Sequence, residues 1–271
     1  MSKGLLAVSF GTAYAETRKK TIEAIEADLS AAFPERKLYT AWTSGMILRK
    51  LKRLGEETRD TLEEALARME REGVTDLLVQ PTFLQAGYEM RLVRETLEKW
   101  KGRFRRVCLG KVLADSPEDL NALARALEAG FAGIGENEVL ALMGHGSEEA
   151  RNDPYGSLAE AFRRDGRANF AVGTVEFHPG IEPVLELVKA RRPDRVVLAP
   201  LMIVAGDHAV NDMAGDEPDS WKNRVSALGT ETECVLKGLG EYPEVRALFA
   251  EHARNAEELS FFPEMAAFSP K

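Results

Sequence analysis

The chain has 271 residues, of which 44% are hydrophobic and 30% are charged, and its formal net charge is −8. These values are typical of a globular protein with one large domain or two lobes, and the acidic balance argues against general nucleic-acid binding. No apolar run approaches the roughly 20 residues that would span a bilayer, so we expect neither nucleic acid nor a membrane among its partners.

The first apolar run, over residues 5–9, is followed by Gly-Thr and predicts a strand rather than a signal peptide, which favours a cytoplasmic protein. Helix and strand patterns then alternate, with a capping box starting at Thr61 and a helix opened by Ser116 and Pro117. The predicted strands of this half cover residues 5–9, 37–42, 77–79 and 106–112, and the predicted helices are centred on residues 22–29, 62–69 and 92–100 and after residue 116.

The same alternation restarts in the second half of the chain. Its predicted strands cover residues 139–143, 170–175, 195–200 and 233–236, and its predicted helices cover residues 155–162, 181–188, 221–228 and 244–258. Strands separated by amphipathic helices predict an α/β fold with mostly parallel sheets. Cys108 and Cys234 lie in apolar stretches, so we expect buried thiols and no disulfide.

A faint internal repeat favours two similar lobes. An apolar strand that ends in proline and is followed by Ala-Gly occurs once in each half. This register places Glu89 opposite His208, and a second match places Phe10 opposite His145. A glycine-rich polar stretch between the halves predicts their boundary. The predicted lobes are residues 1–133 and residues 134–271.

Three of the four histidines follow predicted strands, where ligands bind in parallel α/β sheets. His145 comes after one strand, Glu176 and His178 after the next, and His208 after a third through a short loop. His252 falls in the last predicted helix, and we interpret it as a solvated residue. A hydrogen-bonded loop residue is the simpler interpretation of any single histidine, but three at equivalent strand ends favour a shared site.

Imidazole nitrogens and a carboxylate suit a divalent transition metal such as cobalt, nickel, zinc or iron. Acidic residues crowd around His208, and either orient its ring or serve as caps and solvated charges. The sequence offers neither a nucleophile elbow nor a glycine-rich phosphate loop, which disfavours hydrolase and nucleotide-binding functions.

Five segments carry a resemblance to a known family. They are LAVSFGT at residues 6–12, TSGMI at 43–47, MGHG at 143–146, VE at 175–176 and PLMIVAGDHAVNDMA at 200–214. In this order, over nearly the whole chain, they closely resemble the anaerobic-type sirohydrochlorin cobaltochelatases of cobalamin biosynthesis. The resemblance implies a class II chelatase with two flavodoxin-like lobes, a cleft between them and no need for ATP. It also implies that His145, Glu176 and His208 are the metal ligands and catalytic residues.

The resemblance further implies tetrapyrrole contacts near the strand ends of both lobes. The expected substrate-binding residues are Phe10, Gly11, Thr12, Ser44, Gly45, Met46, Phe83, Leu84, Glu89 and Met202. For the apolar members, core packing is an equal alternative. Phe83 stands where the family often has histidine, which puts the first-lobe contacts in question. A basic run, Arg49, Lys50, Lys52 and Arg53, either binds substrate carboxylates or forms a solvated helix face.

The expected reaction is ATP-independent insertion of cobalt(II) into sirohydrochlorin or its oxidation-state relative, with no permanent cofactor and with His145 as the proton acceptor. Because the same ligands suit iron, a ferrochelatase acting on sirohydrochlorin or a porphyrin is one alternative. A non-catalytic metal or tetrapyrrole carrier is another, and an α/β protein with incidental histidines is a third. The sequence leaves homo-oligomerisation open.

Overall fold

The computed structural model of the chain describes residues 2–100, 102–146 and 154–259. These residues form one six-stranded and one four-stranded sheet with helices packed on them, so the predicted α/β fold with two parallel-sheet lobes is confirmed. Within the described part of the chain, we find no helix of the length and apolar character that a bilayer crossing requires.

The first sheet belongs mainly to the first half of the chain. Its strands, in spatial order, are β10 (Glu257–Glu258), β5 (Arg106–Leu109), β4 (Val74–Pro81), β1 (Ser2–Ser9), β2 (Lys37–Trp42) and β3 (Asp60–Thr61). All pairs are parallel except β10 with β5. The central strand β1 is almost continuously apolar because helices cover both faces of the sheet.

The second sheet is entirely parallel. Its strands, in spatial order, are β7 (Phe170–Thr174), β6 (Glu138–Gly144), β8 (Arg195–Leu201) and β9 (Glu231–Cys234). The strand predicted at residues 233–236 therefore begins two residues earlier, because Arg195 of β8 pairs with Glu231. The first residues of this edge strand are polar, so a search for apolar runs does not detect its start.

Ten α-helices lie among the described residues. They are α1 (Ala15–Lys20), α2 (Ile22–Ala32), α3 (Gly45–Leu54), α4 (Leu62–Arg71), α5 (Tyr88–Lys99), α6 (Pro117–Gly130), α7 (Pro154–Arg164), α8 (Glu182–Arg191), α9 (Trp221–Ser226) and α10 (Pro243–Arg254). The predicted capping box starts α4 and the predicted cap at Ser116 starts α6; Thr61 and Ser116 each accept a bond from a backbone N–H three residues on. Both cysteines are free thiols, Cys108 buried and Cys234 half-buried.

The two sheets share one connection order. In the first half, β1 lies between β2 and β4, and β5 follows β4; in the second half, β6 lies between β7 and β8, and β9 follows β8. When the two-residue strand β3 is left out, each half therefore runs through the order second, first, third and fourth strand. This agreement supports the internal repeat.

The last described segment departs from the predicted division into lobes. Helix α10 packs on α2 and α6, where Arg246 Nε lies 2.6 Å from Asp28 Oδ2, and β10 then pairs with β5 of the first sheet. The predicted helix over 244–258 thus ends at Arg254, and a short antiparallel strand follows. The boundary near residue 133 stays a prediction, with α10 and β10 lying against the first lobe.

The interpretation of His252 as a solvated residue is wrong. Its side chain is buried between α10 and α6, and its Nε2 lies 3.1 Å from Asp119 Oδ1. Asp119 also belongs to the capping box of α6, so the histidine ties the last helix to the start of α6. The sequence indicated that His252 lies on a helix, but it did not indicate that this face of α10 packs against α6.

Glu26 supplies a pH-dependent contribution to stability. Burial raises the pKa of this carboxyl on α2 to about 7, against an ordinary value of 4.5. The folded protein thus holds a proton that the unfolded chain releases, and stability falls as pH rises from 4.5 to 7. Between these pH values, we expect the free energy of unfolding to fall by about 3 kcal/mol less in Glu26→Gln than in the wild type. Urea unfolding of both proteins at pH 5 and pH 8 measures it, and parallel pH profiles would contradict it.

Candidate metal centre

His145 is placed by the end of β6 and by the glycines on either side of it. Gly144 is the last residue of β6, and a Cβ atom there would lie 2.1 Å from Cε1 of Tyr155. Gly146 has a φ of +88°, and its N–H donates to the Tyr155 hydroxyl (3.1 Å). The tyrosine ring fills the space beside the turn, and the backbone presents the exposed His145 side chain beyond the sheet edge.

His208 is placed by a loop that leaves β8 and leads into a π-helical turn, Ala209–Met213. The N–H of Leu239 donates to the carbonyl of Met202 (2.8 Å) and holds the start of this loop. At its end, His208 Nδ1 lies 2.7 Å from Asp212 Oδ2, one turn further along the chain. One of the acidic residues near His208 therefore orients its ring, as the sequence suggested for some of them.

The two imidazoles meet at the carboxyl edge of the second sheet. The ring centroids of His145 and His208 are 4.9 Å apart, and the ring planes are 82° from parallel. His145 Nδ1 lies 3.0 Å from the carbonyl oxygen of Gly146, and His208 Nδ1 bonds the carboxylate of Asp212. Because these oxygens only accept hydrogen bonds, Nδ1 is the protonated nitrogen in the neutral form of each ring, and in that form each Nε2 lone pair is available to a metal.

Glu176 lies next to this pair through its backbone. It follows β7, and its N–H donates to the carbonyl of His145 (3.1 Å), while its side chain is exposed. Within residues 2–100, 102–146 and 154–259, no group of three or more His, Cys, Asp or Glu side chains is arranged to hold a metal ion. The structure brings the two histidines together without the carboxylate, and the three-ligand set stays a prediction. His178 is exposed nearby.

The first lobe repeats this backbone with different side chains. The N–H of Ser44 donates to the carbonyl of Phe10 (3.1 Å), just as the N–H of Glu176 donates to that of His145. Gly11, like Gly146 after His145, follows with a positive φ, +101°. Phe10 therefore occupies the position of His145, and Ser44 that of Glu176.

The loops after β4 and β8 extend the same correspondence. The N–H of Leu113 donates to the carbonyl of Phe83 (2.9 Å), which matches the bond from Leu239 to Met202. Six residues beyond Phe83 stands Glu89, and six residues beyond Met202 stands His208. The first lobe thus has a matching backbone position for each predicted ligand, occupied by phenylalanine, serine and glutamate.

The polar and glycine members of the predicted substrate set lie around the equivalent edge of the first sheet. They are Gly11, Thr12, Ser44, Gly45 and Glu89. The Thr12 hydroxyl accepts from the N–H of Tyr14 (3.2 Å), and the Ser44 hydroxyl caps α3 by accepting from the N–H of Ile47 (3.4 Å). Both hydroxyls thus have local roles. A Cβ on Gly11 would lie 2.6 Å from Trp42, so glycine is required there.

The apolar members of that set divide into two groups. Phe10 is 46% exposed and Met46 is 68% exposed, so both are accessible to a planar ligand. Phe83 is buried in the core of the first sheet, and Leu84 and Met202 are partly buried against neighbouring cores. For Phe83 the core-packing alternative is the one that the structure favours.

Other apolar residues near the strand ends were missed by sequence reasoning. Tyr14, Tyr88, Phe177 and Val210 are among the most exposed large hydrophobic residues that the structure describes. Each lies within four residues of a predicted site residue in the sequence. Their position beside the predicted motifs was the one signal that could have identified them as candidate site residues. The sequence did not show that these large apolar side chains are exposed.

The basic run lies on α3, which starts directly after Ser44 at the edge of the first sheet. All four members are exposed. Arg49 folds back along the helix, since its Nη1 would lie 3.2 Å from a Cβ on Gly45. The Arg49 guanidinium therefore lies beside the first residue of α3.

Comparisons with known proteins agree with this geometry. The family model described as Cobalt chelatase (CbiK) matches residues 3–258. The sirohydrochlorin cobaltochelatase of Salmonella typhimurium is 38% identical over 256 residues, with 94% of this chain and 97% of that protein covered. The sirohydrochlorin cobaltochelatase CbiKC of Nitratidesulfovibrio vulgaris is 29% identical over 253 residues, covering 92% of this chain and 89% of that protein.

A solved structure shows the same fold. SirB from Bacillus subtilis with Fe3+ superposes with a TM-score of 0.64 at 14% sequence identity, and the match covers 94% of this chain and 95% of that one. At this identity the likeness supports the two-lobed architecture alone.

Proposed function

Because the chain belongs to the cobalt chelatase (CbiK) family, we propose that it inserts cobalt(II) into sirohydrochlorin without ATP, at the edge where His145 and His208 meet. The observation that carries this assignment is the pair of imidazoles 4.9 Å apart, each with its Nδ1 proton held by an oxygen. Two neutral nitrogen ligands suit cobalt(II), and the exposed edge leaves room for a large planar substrate.

The metal ion is a substrate here and has to be released into the ring. Two imidazoles bind it less tightly than a closed four-ligand site would, and open positions remain for water or a pyrrole nitrogen. We assign Glu176 as the third ligand, since its exposed side chain can rotate toward the imidazoles from a backbone already bonded to His145. Its carboxylate would lower the net charge of the bound ion.

Insertion replaces two pyrrole N–H protons by one divalent ion, so two protons must leave. His145 is the proposed first acceptor, because its side chain is exposed and its Nε2 becomes free as the ion transfers to the unprotonated ring nitrogens, while the two pyrrole N–H protons are still in place. His208 is tied to Asp212, which keeps its ring fixed for the next ion. Protons can pass on through Glu176 to solvent.

The macrocycle is proposed to lie against the exposed apolar residues of the strand ends, Phe10 and Met46 among them. Sirohydrochlorin carries many carboxylates, and Arg49 at the start of α3 can bind one of them. The peripheral carboxylates then contact the charged rim while the ring plane faces apolar side chains. A cytoplasmic location and homo-oligomerisation stay predictions from the sequence.

An insertion assay without nucleotide tests this proposal. Purified protein is mixed with sirohydrochlorin and cobalt(II), iron(II) or nickel(II) under anaerobic conditions, and ring absorbance is followed. We expect many rings metallated per protein, fastest with cobalt. Faster turnover with iron would favour the ferrochelatase alternative. Conversion that stops at one ring per protein would indicate a carrier and contradict the proposal.

A further inference from the structure

We propose that Tyr14 is a positioning residue, which holds the His208 loop from the first lobe through Asp207 and so sets the affinity for cobalt. The Tyr14 hydroxyl donates to Asp207 Oδ1 at 3.0 Å across 193 positions of sequence. Asp207 directly precedes His208 in the chain. This inference rests on the proposed function, because it assigns a role in placing one of the proposed ligands.

The tyrosine is well anchored in the first lobe. Its N–H donates to the hydroxyl of Thr12 (3.2 Å), and Thr12 is buried. The carbonyl of Tyr14 accepts from the N–H of Arg18 (2.8 Å), which starts α1. The phenol therefore projects from a turn whose backbone is fixed on both sides, and it can act as a fixed point for the second lobe.

The loop that carries His208 needs such a support at its exposed end. Its earlier part is held by apolar packing, since Val204 contacts a cluster of the first lobe that contains Trp42. Beyond Ala205 the chain reaches the surface, and Asp207 is exposed. The bond from Tyr14 restrains the loop one residue before the ligand, where a small shift of the backbone moves the whole imidazole.

Two carboxylates thus restrain His208 in different ways. Asp212 fixes the rotation of the ring, whereas Asp207 fixes the backbone that carries it. The bond to Asp207 raises the pKa of Tyr14 above its ordinary value of 10.0, so the phenol stays a donor at neutral pH. The spacing between the rings of His145 and His208 then depends on a contact between the lobes.

The test compares Tyr14→Phe with Tyr39→Phe. Tyr39 lies on β2, and its hydroxyl donates a similar bond to the carboxylate of Glu72 at the end of α4 (2.6 Å). Cobalt titrations without tetrapyrrole give the Kd, and steady-state assays give the KM for each substrate. We expect Tyr14→Phe to raise the Kd and the KM for cobalt about 5-fold, with the KM for sirohydrochlorin unchanged. Tyr39→Phe should alter thermal stability alone.

Variants of Asp207 test whether Tyr14 acts through its bond to Asp207 or through a general loss of order in the loop. Asp207→Asn retains an acceptor oxygen and should bind cobalt close to wild type, whereas Asp207→Ala should match Tyr14→Phe. Adding Tyr14→Phe to Asp207→Ala should change the Kd no further. Additive effects of the two changes would overturn the inference.

The remaining outcomes are also decisive. If Tyr14→Phe raises the KM for the tetrapyrrole and leaves cobalt binding unchanged, the phenol contacts substrate and the positioning role is wrong. If wild-type protein inserts cobalt and Tyr14→Phe binds it equally well, this inference fails while the proposed function stands. A wild-type protein that neither binds nor inserts cobalt would end both.

Discussion

Replacing His208 or His145 with alanine will lower the rate of cobalt insertion by more than about 100-fold. Loss of a residue that only orients a ligand typically costs 10- to 100-fold in metal affinity, and loss of the ligand itself costs more. The two rings are 4.9 Å apart at one edge of the sheet, where each supplies one nitrogen ligand to the same ion. Removing either ring leaves a single imidazole. Initial insertion rates and cobalt titrations measure the effect.

The matched control is His178→Ala, which removes an exposed imidazole from the loop after β7. We expect it to stay within about 3-fold of wild type, because His178 is not one of the proposed ligands and its exposed side chain can be truncated without leaving a cavity. If His145→Ala loses turnover and still binds the tetrapyrrole, the carrier alternative fails. Wild-type cobalt affinity in both alanine variants would show that the histidine pair is not the metal site.

Replacing Gly144 with alanine will destabilise the fold and the site together. The new methyl group would lie 2.1 Å from a ring carbon of Tyr155, well inside van der Waals contact. Tyr155 is buried and accepts the N–H of Gly146, so a displaced ring also frees the turn that presents His145. We expect a loss of about 3 kcal/mol in the free energy of unfolding and roughly 10-fold in insertion rate.

Gly133→Ala provides the comparison for that change. A Cβ there would meet no atom within 4 Å, so the free energy of unfolding should change by less than about 0.5 kcal/mol. Denaturant unfolding and insertion rates of both variants decide the point. Equal stabilities for the two glycine variants would mean that Tyr155 moves aside without cost, which would refute the proposed coupling.

The sequence predicted most of the fold because its signals are local. Continuous apolar runs identified β1, β6 and β8, and a capping box and a Ser-Pro pair placed the starts of α4 and α6 at the correct residues. The edge elements were harder, because β10 is two residues long and gains its order only from pairing with β5. No periodic pattern marks so short a strand.

The site was predicted in part for a similar reason. Strand ends located His145 and His208, since parallel strands bring their carboxyl ends to one edge. Tyr14 was missed because its bond to Asp207 joins residues 193 positions apart and follows no sequence spacing. The burial of His252 was missed because it depends on how α10 packs against α6. Glu176 stays a predicted ligand, because the described residues contain no group of three His, Cys, Asp or Glu side chains arranged to hold a metal ion.

The pairing of β10 with β5 has a consequence for the order in which the molecule can fold. During synthesis, β5 leaves the ribosome roughly 150 residues before the strand that covers its outer edge. At ordinary translation rates, the nascent first sheet exposes unpaired peptide groups for about 10 to 30 seconds. Uncovered edges invite pairing with other chains, so this interval is when the growing polypeptide is most exposed to aggregation.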